Sequence, residues 1–180
     1  MRDDYAPKAT AVFALALNSH LVTKVGRGGV GPVNWPANNK VYRGGGLPRE
    51  HHHFFQVGRK YRIPMNLSTS SDRRTAEGFM SDRGAPDFTL WTFEFDPSSR
   101  CDHVNFVHKN AGDLADEHGN PIAPDVAAEQ EYLFAVYATF EVVRVNFRAA
   151  PTAAAPHEVV LRVAVDNSAE ATDLPNAPWV

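Results

Sequence analysis

Residues 129–136 read EQEYLFAV, with two carboxylates separated by one residue at the start of a strand-like run. On extended backbone the side chains of residues i and i+2 point to the same face, so we expect Glu129 and Glu131 to lie side by side. Two anions held that close repel each other unless a cation or a substrate group compensates their charge. Glu-x-Glu is also common on solvated strands, and by itself it is weak evidence for a site. Its interpretation therefore depends on the other motifs of the chain.

Two further polar motifs lie upstream in strand-like contexts: residues 41–46 read VYRGGG and residues 67–70 read LSTS. The guanidinium of Arg43 offers a rigid fork of donors suited to phosphate or ribose oxygens, and the glycines after it allow a ligand close to the backbone. Serine and threonine hydroxyls both donate and accept, so they can bridge a carboxylate and a ribose. The alternatives are an exposed arginine at a strand end, and a turn with a helix cap at Ser71 or Asp72.

The composition is that of one globular domain over residues 1–180, with 43% hydrophobic and 22% charged residues. A formal charge of -3 argues against nucleic acid as the main partner, since backbone phosphates call for a basic surface. The single cysteine, Cys101, excludes an intrachain disulfide framework. No apolar run is long enough to span a bilayer, so a membrane is not an expected partner. The apolar residues 11–17 read as the buried face of a helix rather than a signal peptide.

The hydrophobic periodicity predicts an α+β fold in which one helix is followed mainly by strands. That helix covers Pro7–Lys24, and a second, short helix is expected over Asp72–Met80. Extended segments are predicted at 40–43, 58–70, 88–95, 103–108 and 159–165, with two strands or one bent strand over 129–147 and a turn or short helix at 50–56. The long polar segment from His108 to Ala128 is a loop, and loops of that length are usually functional or disordered.

The order of an arginine, a Ser-Thr-Ser motif and a Glu-x-Glu motif resembles the mono-ADP-ribosyltransferases of the Arg-Ser-Glu class. The resemblance runs from about Tyr5 to Val165. It implies an ADP-ribosyltransferase-like core of two packed, mainly antiparallel β-sheets with an N-terminal helix. It also implies that NAD⁺ binds in a cleft between the sheets, and that the bond between nicotinamide and ribose is cleaved with transfer of ADP-ribose to a protein side chain.

The resemblance further assigns roles to individual residues. The NAD⁺-binding set contains a guanidinium for the phosphates or adjoining ribose, a glycine for the nicotinamide amide, two hydroxyls, an aromatic ring for nicotinamide and a second arginine for phosphate. These are Arg43, Gly44, Ser68, Thr69, Phe79 and Arg83. Ser68 also orders the site by bonding the catalytic glutamate. Taken alone, Phe79 equally suits core packing and Arg83 a solvated surface.

The two glutamates are expected to have different roles in the reaction. Cleavage of the nicotinamide bond builds positive charge on the ribose, as in glycoside hydrolysis, and Glu131 would stabilise that charge. Glu129 would lie nearer the acceptor, pair with an incoming guanidinium and help to deprotonate it. In the family a glutamate at this earlier position goes with arginine as acceptor. Toxin members often carry an aromatic residue three positions before it, where this chain has Val126, and the preceding segment 111–128 is acidic.

Other functions are weighed against this one. An NAD⁺ glycohydrolase would use the same fold with water as acceptor, and a binding module would keep the fold without catalysis. The histidines His51, His52, His53, His103, His108 and His118 show no metal-ligand spacing, so no metal is expected. We expect a cytoplasmic protein or a secreted, delivered effector. The residues assign neither an oligomeric state nor a particular target protein.

Overall fold

A computed structural model of the protein describes residues 35–82, 87–99, 101, 103–106 and 129–178. The predicted helix Pro7–Lys24, the acidic loop with Val126, and Arg83 lie outside these ranges. The elements in chain order are β1 (Lys40–Gly46), a 3-10 helix (Arg49–Phe54), β2 (Lys60–Ile63), β3 (Leu67–Ser70), α1 (Arg73–Asp82), β4 (Phe88–Glu94), β5 (Val104–Phe106), β6 (Glu131–Phe134), β7 (Ala138–Asn146), β8 (His157–Val163) and a 3-10 helix (Asn167–Ala169).

The strands of the described residues form one hydrogen-bonded sheet of eight, in the order β2-β7-β8-β4-β1-β3-β6-β5. Within these residues the neighbours pair antiparallel, except for the parallel pair β4 and β8. The prediction of a mainly antiparallel α+β fold is confirmed. Several expected boundaries were wrong. The glycines 44–46 lie inside β1, and residues 58–70 contain two strands separated by residues 64–66. Glu129 precedes β6 instead of belonging to it, and the strand predicted at 159–165 runs from His157 to Val163.

The sheet folds over on itself to make two packed layers. Strands β6 and β7 would lie roughly 24 Å apart in a flat sheet of this order, since neighbouring strands are about 4.8 Å apart. Yet the ring centroids of Phe134 on β6 and Phe140 on β7 are 5.2 Å apart, and Phe134 also contacts Phe93 and Phe95. All four rings are buried. The expected pair of packed sheets is therefore present as two layers of one sheet, joined where β1 pairs with β3.

Helix α1 follows β3 directly and packs on β1 and β4. The Asp72 carboxylate accepts a hydrogen bond from the backbone N–H of Arg74, which confirms Asp72 as the helix cap. Of the predicted strand 88–95, the core candidates Leu90, Trp91 and Phe93 are all buried. Both faces of β4 are thus covered, one by α1 and one by the aromatic cluster. None of the helices in the described ranges combines the length and apolar character that a bilayer crossing requires.

A buried histidine, His103, directly precedes β5 at the edge of the sheet. The Nε2 of His103 lies 3.2 Å from the Sγ of Cys101, and both residues are buried. Burial lowers the pKa of His103 to about 4, because the charged imidazolium loses its hydration. The histidine is therefore neutral in the folded protein at neutral pH, and the thiol beside it is buried.

This pKa predicts how stability depends on pH. An unfolded histidine titrates near 6.5, so below that pH the unfolded chain binds a proton that the folded chain does not. The free energy of unfolding should fall as pH drops from about 6.5 towards 4, with a contribution from His103 of about 2 kcal/mol between pH 7 and pH 5. Urea unfolding at both pH values measures this. His103→Gln should lose that contribution, while His53→Gln, at an exposed position, should keep it. Equal pH dependence in wild type and His103→Gln would contradict the assignment.

Candidate active site

An open cleft with a cavity volume of about 90 Å³ lies where β1, β3 and α1 meet the start of β6. The cleft is lined by Tyr42, Arg43, Gly44, Ser68, Thr69, Ser70, Ala76, Phe79, Glu129 and Glu131. Every site residue predicted from the sequence lines this one cleft, except Arg83, which lies outside the described residues. Tyr42 and Ala76 were not anticipated, although Tyr42 stands next to the arginine in the motif.

Ser68 and Glu131 are joined by a direct hydrogen bond: the Ser68 hydroxyl donates to the Glu131 carboxylate at 2.6 Å. Strands β3 and β6 pair so that Ser68 lies opposite Leu133, and Ser70 opposite Glu131. Ser68 and Glu131 are thus diagonal neighbours on one face, within reach of each other. The opposite face carries Leu67, Thr69, Tyr132 and Phe134, all buried. Alternation along two short strands therefore turns one face to the core and one to the cleft.

Thr69 belongs to the buried face. Its hydroxyl donates to the backbone carbonyl of Tyr132 at 2.8 Å, and the residue is only 4% exposed. The hydroxyl is therefore directed away from the face that carries Ser68. Its bond ties the two strands of the Ser-Thr-Ser and Glu-x-Glu motifs together.

Glu129 lies in the cleft because of a turn, and not because it belongs to an extended strand as expected. Strand β6 begins at Glu131, and Gln130 has a φ of 47°, in the left-handed region. The extended i and i+2 relation therefore does not apply to the pair, and that premise of the sequence analysis was wrong. Both residues still line the cleft, because the chain turns at Gln130 before it enters the strand.

Arg43 connects the two layers at the cleft. Its guanidinium Nη1 donates to the backbone carbonyl of Ser68 at 2.9 Å, from β1 to β3. The residue is half-buried and lines the cleft beside Tyr42, which pairs with Ser70 across the same strands. A guanidinium has five N–H donors in a fixed fork, so a side chain anchored in this way is held in one orientation towards the cleft.

Gly44 is required by packing. A Cβ on this residue would lie 1.9 Å from the backbone carbonyl oxygen of Ala76 and 2.8 Å from the Cβ of Met80, both on α1. Real Cβ atoms do not approach a carbonyl oxygen so closely, so only glycine allows α1 to lie this near β1. The helix brings Phe79, which is 39% exposed, to the wall of the cleft. Gly44 therefore shapes the cleft through the helix, whatever it also does for a ligand.

The histidine run lies away from this cleft, in the 3-10 helix Arg49–Phe54. The ring of His52 stacks on Phe147 with centroids 3.9 Å apart and meets His157 edge-on at 4.7 Å. His52 is thus engaged in packing between the 3-10 helix and β8. In the part of the chain that the structure describes, no three His, Cys, Asp or Glu side chains are grouped so that they could hold a metal ion.

The fold can be compared with those of known proteins. Vis, an ADP-ribosyltransferase toxin of Vibrio splendidus, matches with a TM-score of 0.51 and 15% identity over 77% of this chain and 53% of Vis. A second structure, Vis in complex with agmatine, matches with a TM-score of 0.50 and 15% identity over 75% of this chain and 53% of Vis. The chain has the fold of an ADP-ribosyltransferase. It spans about half the length of the Vis structures. The sequence matches no protein-family model, and it matches no curated protein at a significant level.

The close approach at Gly44 makes a prediction about stability. Gly44→Ala should lower the free energy of unfolding by about 1–3 kcal/mol, because the added methyl forces α1 away from β1. Gly78→Ala is the matched control: Gly78 lies on the exposed side of the same helix, with nothing within 4 Å of an added Cβ. That change should stabilise the protein by about 1 kcal/mol, since alanine favours the helix. Urea unfolding measures both, and a Gly44→Ala variant as stable as wild type would contradict the packing role.

Proposed function

We propose that the protein transfers ADP-ribose from NAD⁺ to a protein side chain and releases nicotinamide. The observation that carries the proposal is the Ser68–Glu131 hydrogen bond, placed in a cleft beside Arg43. It supports the proposal because these residue types suit this chemistry and because the fold is that of the ADP-ribosyltransferases. Fold by itself does not carry function, so the argument rests on the site.

The donor set of the cleft fits NAD⁺ as a substrate. Arg43 offers a guanidinium for the phosphates or the adjoining ribose, and Gly44 leaves the β1 backbone bare of a side chain. Phe79 presents a partly exposed ring that can pack on nicotinamide. Ser68 adds a hydroxyl, while the bond of Thr69 to Tyr132 restricts its part to shaping the wall. We assign Arg83 to the same phosphate-binding role on the resemblance alone.

NAD⁺ supplies an activated ribose carbon, because nicotinamide leaves with the electrons of its bond and positive charge develops on the sugar. Glu131 holds a carboxylate in the cleft for that charge, and Ser68 fixes its orientation. A preorganised group of this kind acts without reorganising during the reaction. Its removal typically costs about 100- to 1,000-fold in rate.

Glu129 is assigned to the acceptor. Arginine as acceptor is supported by the second carboxylate in the same cleft and by the binding of agmatine, which carries a guanidinium, to Vis. A carboxylate can pair with a guanidinium in two parallel hydrogen bonds and accept the proton that the attacking nitrogen loses. Vis is a toxin, and we extend the proposal to a toxin or effector acting on a protein of another cell.

The first test measures label transfer and nicotinamide release by wild type and by Glu131→Gln, each incubated with labelled NAD⁺ and agmatine. Wild type should transfer label and release nicotinamide, and the variant should be slower by about 100-fold or more, because it lacks the charge that stabilises the ribose. Glu94→Gln is the control: this residue pairs with Lys40 at the far end of β1 and β4, and the change should leave both rates unchanged. If neither wild type nor the control cleaves NAD⁺, the protein is a binding module and the proposal fails.

The second test separates the two glutamates. Glu129→Gln should lose transfer to agmatine far more than it loses NAD⁺ cleavage, because the amide can neither neutralise the guanidinium nor accept its proton. Transfer and free nicotinamide are measured in the same reaction. Equal loss of both would contradict the acceptor role of Glu129. Cleavage without transfer in the wild type would identify an NAD⁺ glycohydrolase.

A further inference from the structure

Gln130, the middle residue of Glu-x-Glu, has no role in the chemistry described above, yet it is held by side-chain and backbone bonds. The hydroxyl of Ser71 donates to its side-chain carbonyl Oε1 at 2.7 Å, and the backbone N–H of Ser71 donates to its backbone carbonyl at 3.1 Å. Its φ of 47° is uncommon for a residue with a side chain. A residue so placed persists only where its surroundings hold it there.

The bonds come from the junction between β3 and α1. Besides the two from Ser71, the hydroxyl of Ser70 donates to the backbone carbonyl of Glu129 and accepts from the N–H of Asp72. The junction therefore makes three hydrogen bonds to residues 129 and 130. It is also the start of the helix that carries Phe79 to the cleft. The acceptor side of the site is thus built from the end of the Ser-Thr-Ser motif.

The two glutamates depend on different supports. Glu131 lies in β6, where it pairs with Ser70 across the strands and accepts the hydrogen bond of Ser68. Glu129 lies before the strand, and its direction depends on the turn at Gln130. Loosening that turn should move Glu129 while Glu131 stays paired.

We propose that Ser71 and Gln130 act together as positioning residues: their side-chain hydrogen bond stabilises the left-handed turn and so aims Glu129 at the acceptor. The inference rests on the proposed function, and it concerns the choice of acceptor rather than NAD⁺ cleavage. The pair sets how much of the ADP-ribose goes to a guanidinium and how much to water.

The experiment measures the ratio of transfer to hydrolysis with labelled NAD⁺ and agmatine. Ser71→Ala and Gln130→Ala should each lower this ratio about five-fold, the effect expected from loss of an ordinary neutral hydrogen bond. The double variant should be no worse than either single variant, because both remove the same bond. Ser71→Thr keeps the hydroxyl, so its ratio of transfer to hydrolysis should equal that of wild type. The ratio comes from two activities of one sample, so a partly unfolded variant does not distort it.

A second comparison separates turn geometry from the mere loss of a contact. Gln130→Gly removes the same side-chain bond, but glycine adopts positive φ without a steric penalty. Its ratio should therefore lie closer to wild type than that of Gln130→Ala. Ser81→Ala is the control, because Ser81 bonds the carbonyl of Glu77 on the outside of α1 and should not change the ratio.

The outcomes distinguish this inference from the proposed function. Unchanged ratios in Ser71→Ala and Gln130→Ala, with active wild type, overturn the positioning role and leave the transferase standing. A fall of both activities together also overturns it, since the pair would then be only structural. Cleavage by wild type without transfer overturns it together with the arginine assignment. No cleavage by wild type overturns the proposed function itself.

Discussion

The pairing of β1 with β3 at Tyr42 and Ser70 is the constraint on which the rest of the structure depends. It joins the two parts of the sheet, and beyond it the strands β3, β6 and β5 fold back over the first layer. The Arg43 guanidinium bridges the same junction through the Ser68 carbonyl. The cleft lies at this junction, and its polar residues come from both sides of it.

Stability and site geometry come from different interactions. Burying one phenylalanine side chain contributes about 1.5–3 kcal/mol, whereas a neutral hydrogen bond contributes about 0.5–1.5 kcal/mol. The aromatic cluster around Phe134 therefore supplies most of the stabilisation between the layers. The hydrogen bonds of Ser68, Thr69 and Ser71 add less energy, but they are directional. Ser68 orients the Glu131 carboxylate directly, while Thr69 and Ser71 hold the Tyr132 backbone and the Gln130 side chain on either side of it.

The two carboxylates show how one short motif can serve two purposes. Glu131 is held by a strand and by a serine on the neighbouring strand, a rigid arrangement suited to a charge that forms always at the same point. Glu129 is held through the turn at Gln130. Under the proposed function, the carboxylate assigned to donor chemistry therefore lies in a strand, and the one assigned to the acceptor lies before a turn. The Glu-x-Glu spacing brings them together because the chain changes conformation between them.

Local pattern was sufficient for much of this protein. Alternation predicted β4 and its buried residues, and polar spacing predicted the Asp72 cap, because each of these depends on neighbours within a few positions. The resemblance of the three motifs to a known family indicated most of the residues that line the cleft, but not Tyr42 or Ala76. Other features depend on residues far apart in the chain, and no local pattern contains them. The contact of Gly44 with Ala76, the folding of Phe134 onto Phe140 and the left-handed turn at Gln130 are of this kind. They arose only when packing brought distant segments within van der Waals and hydrogen-bonding distance.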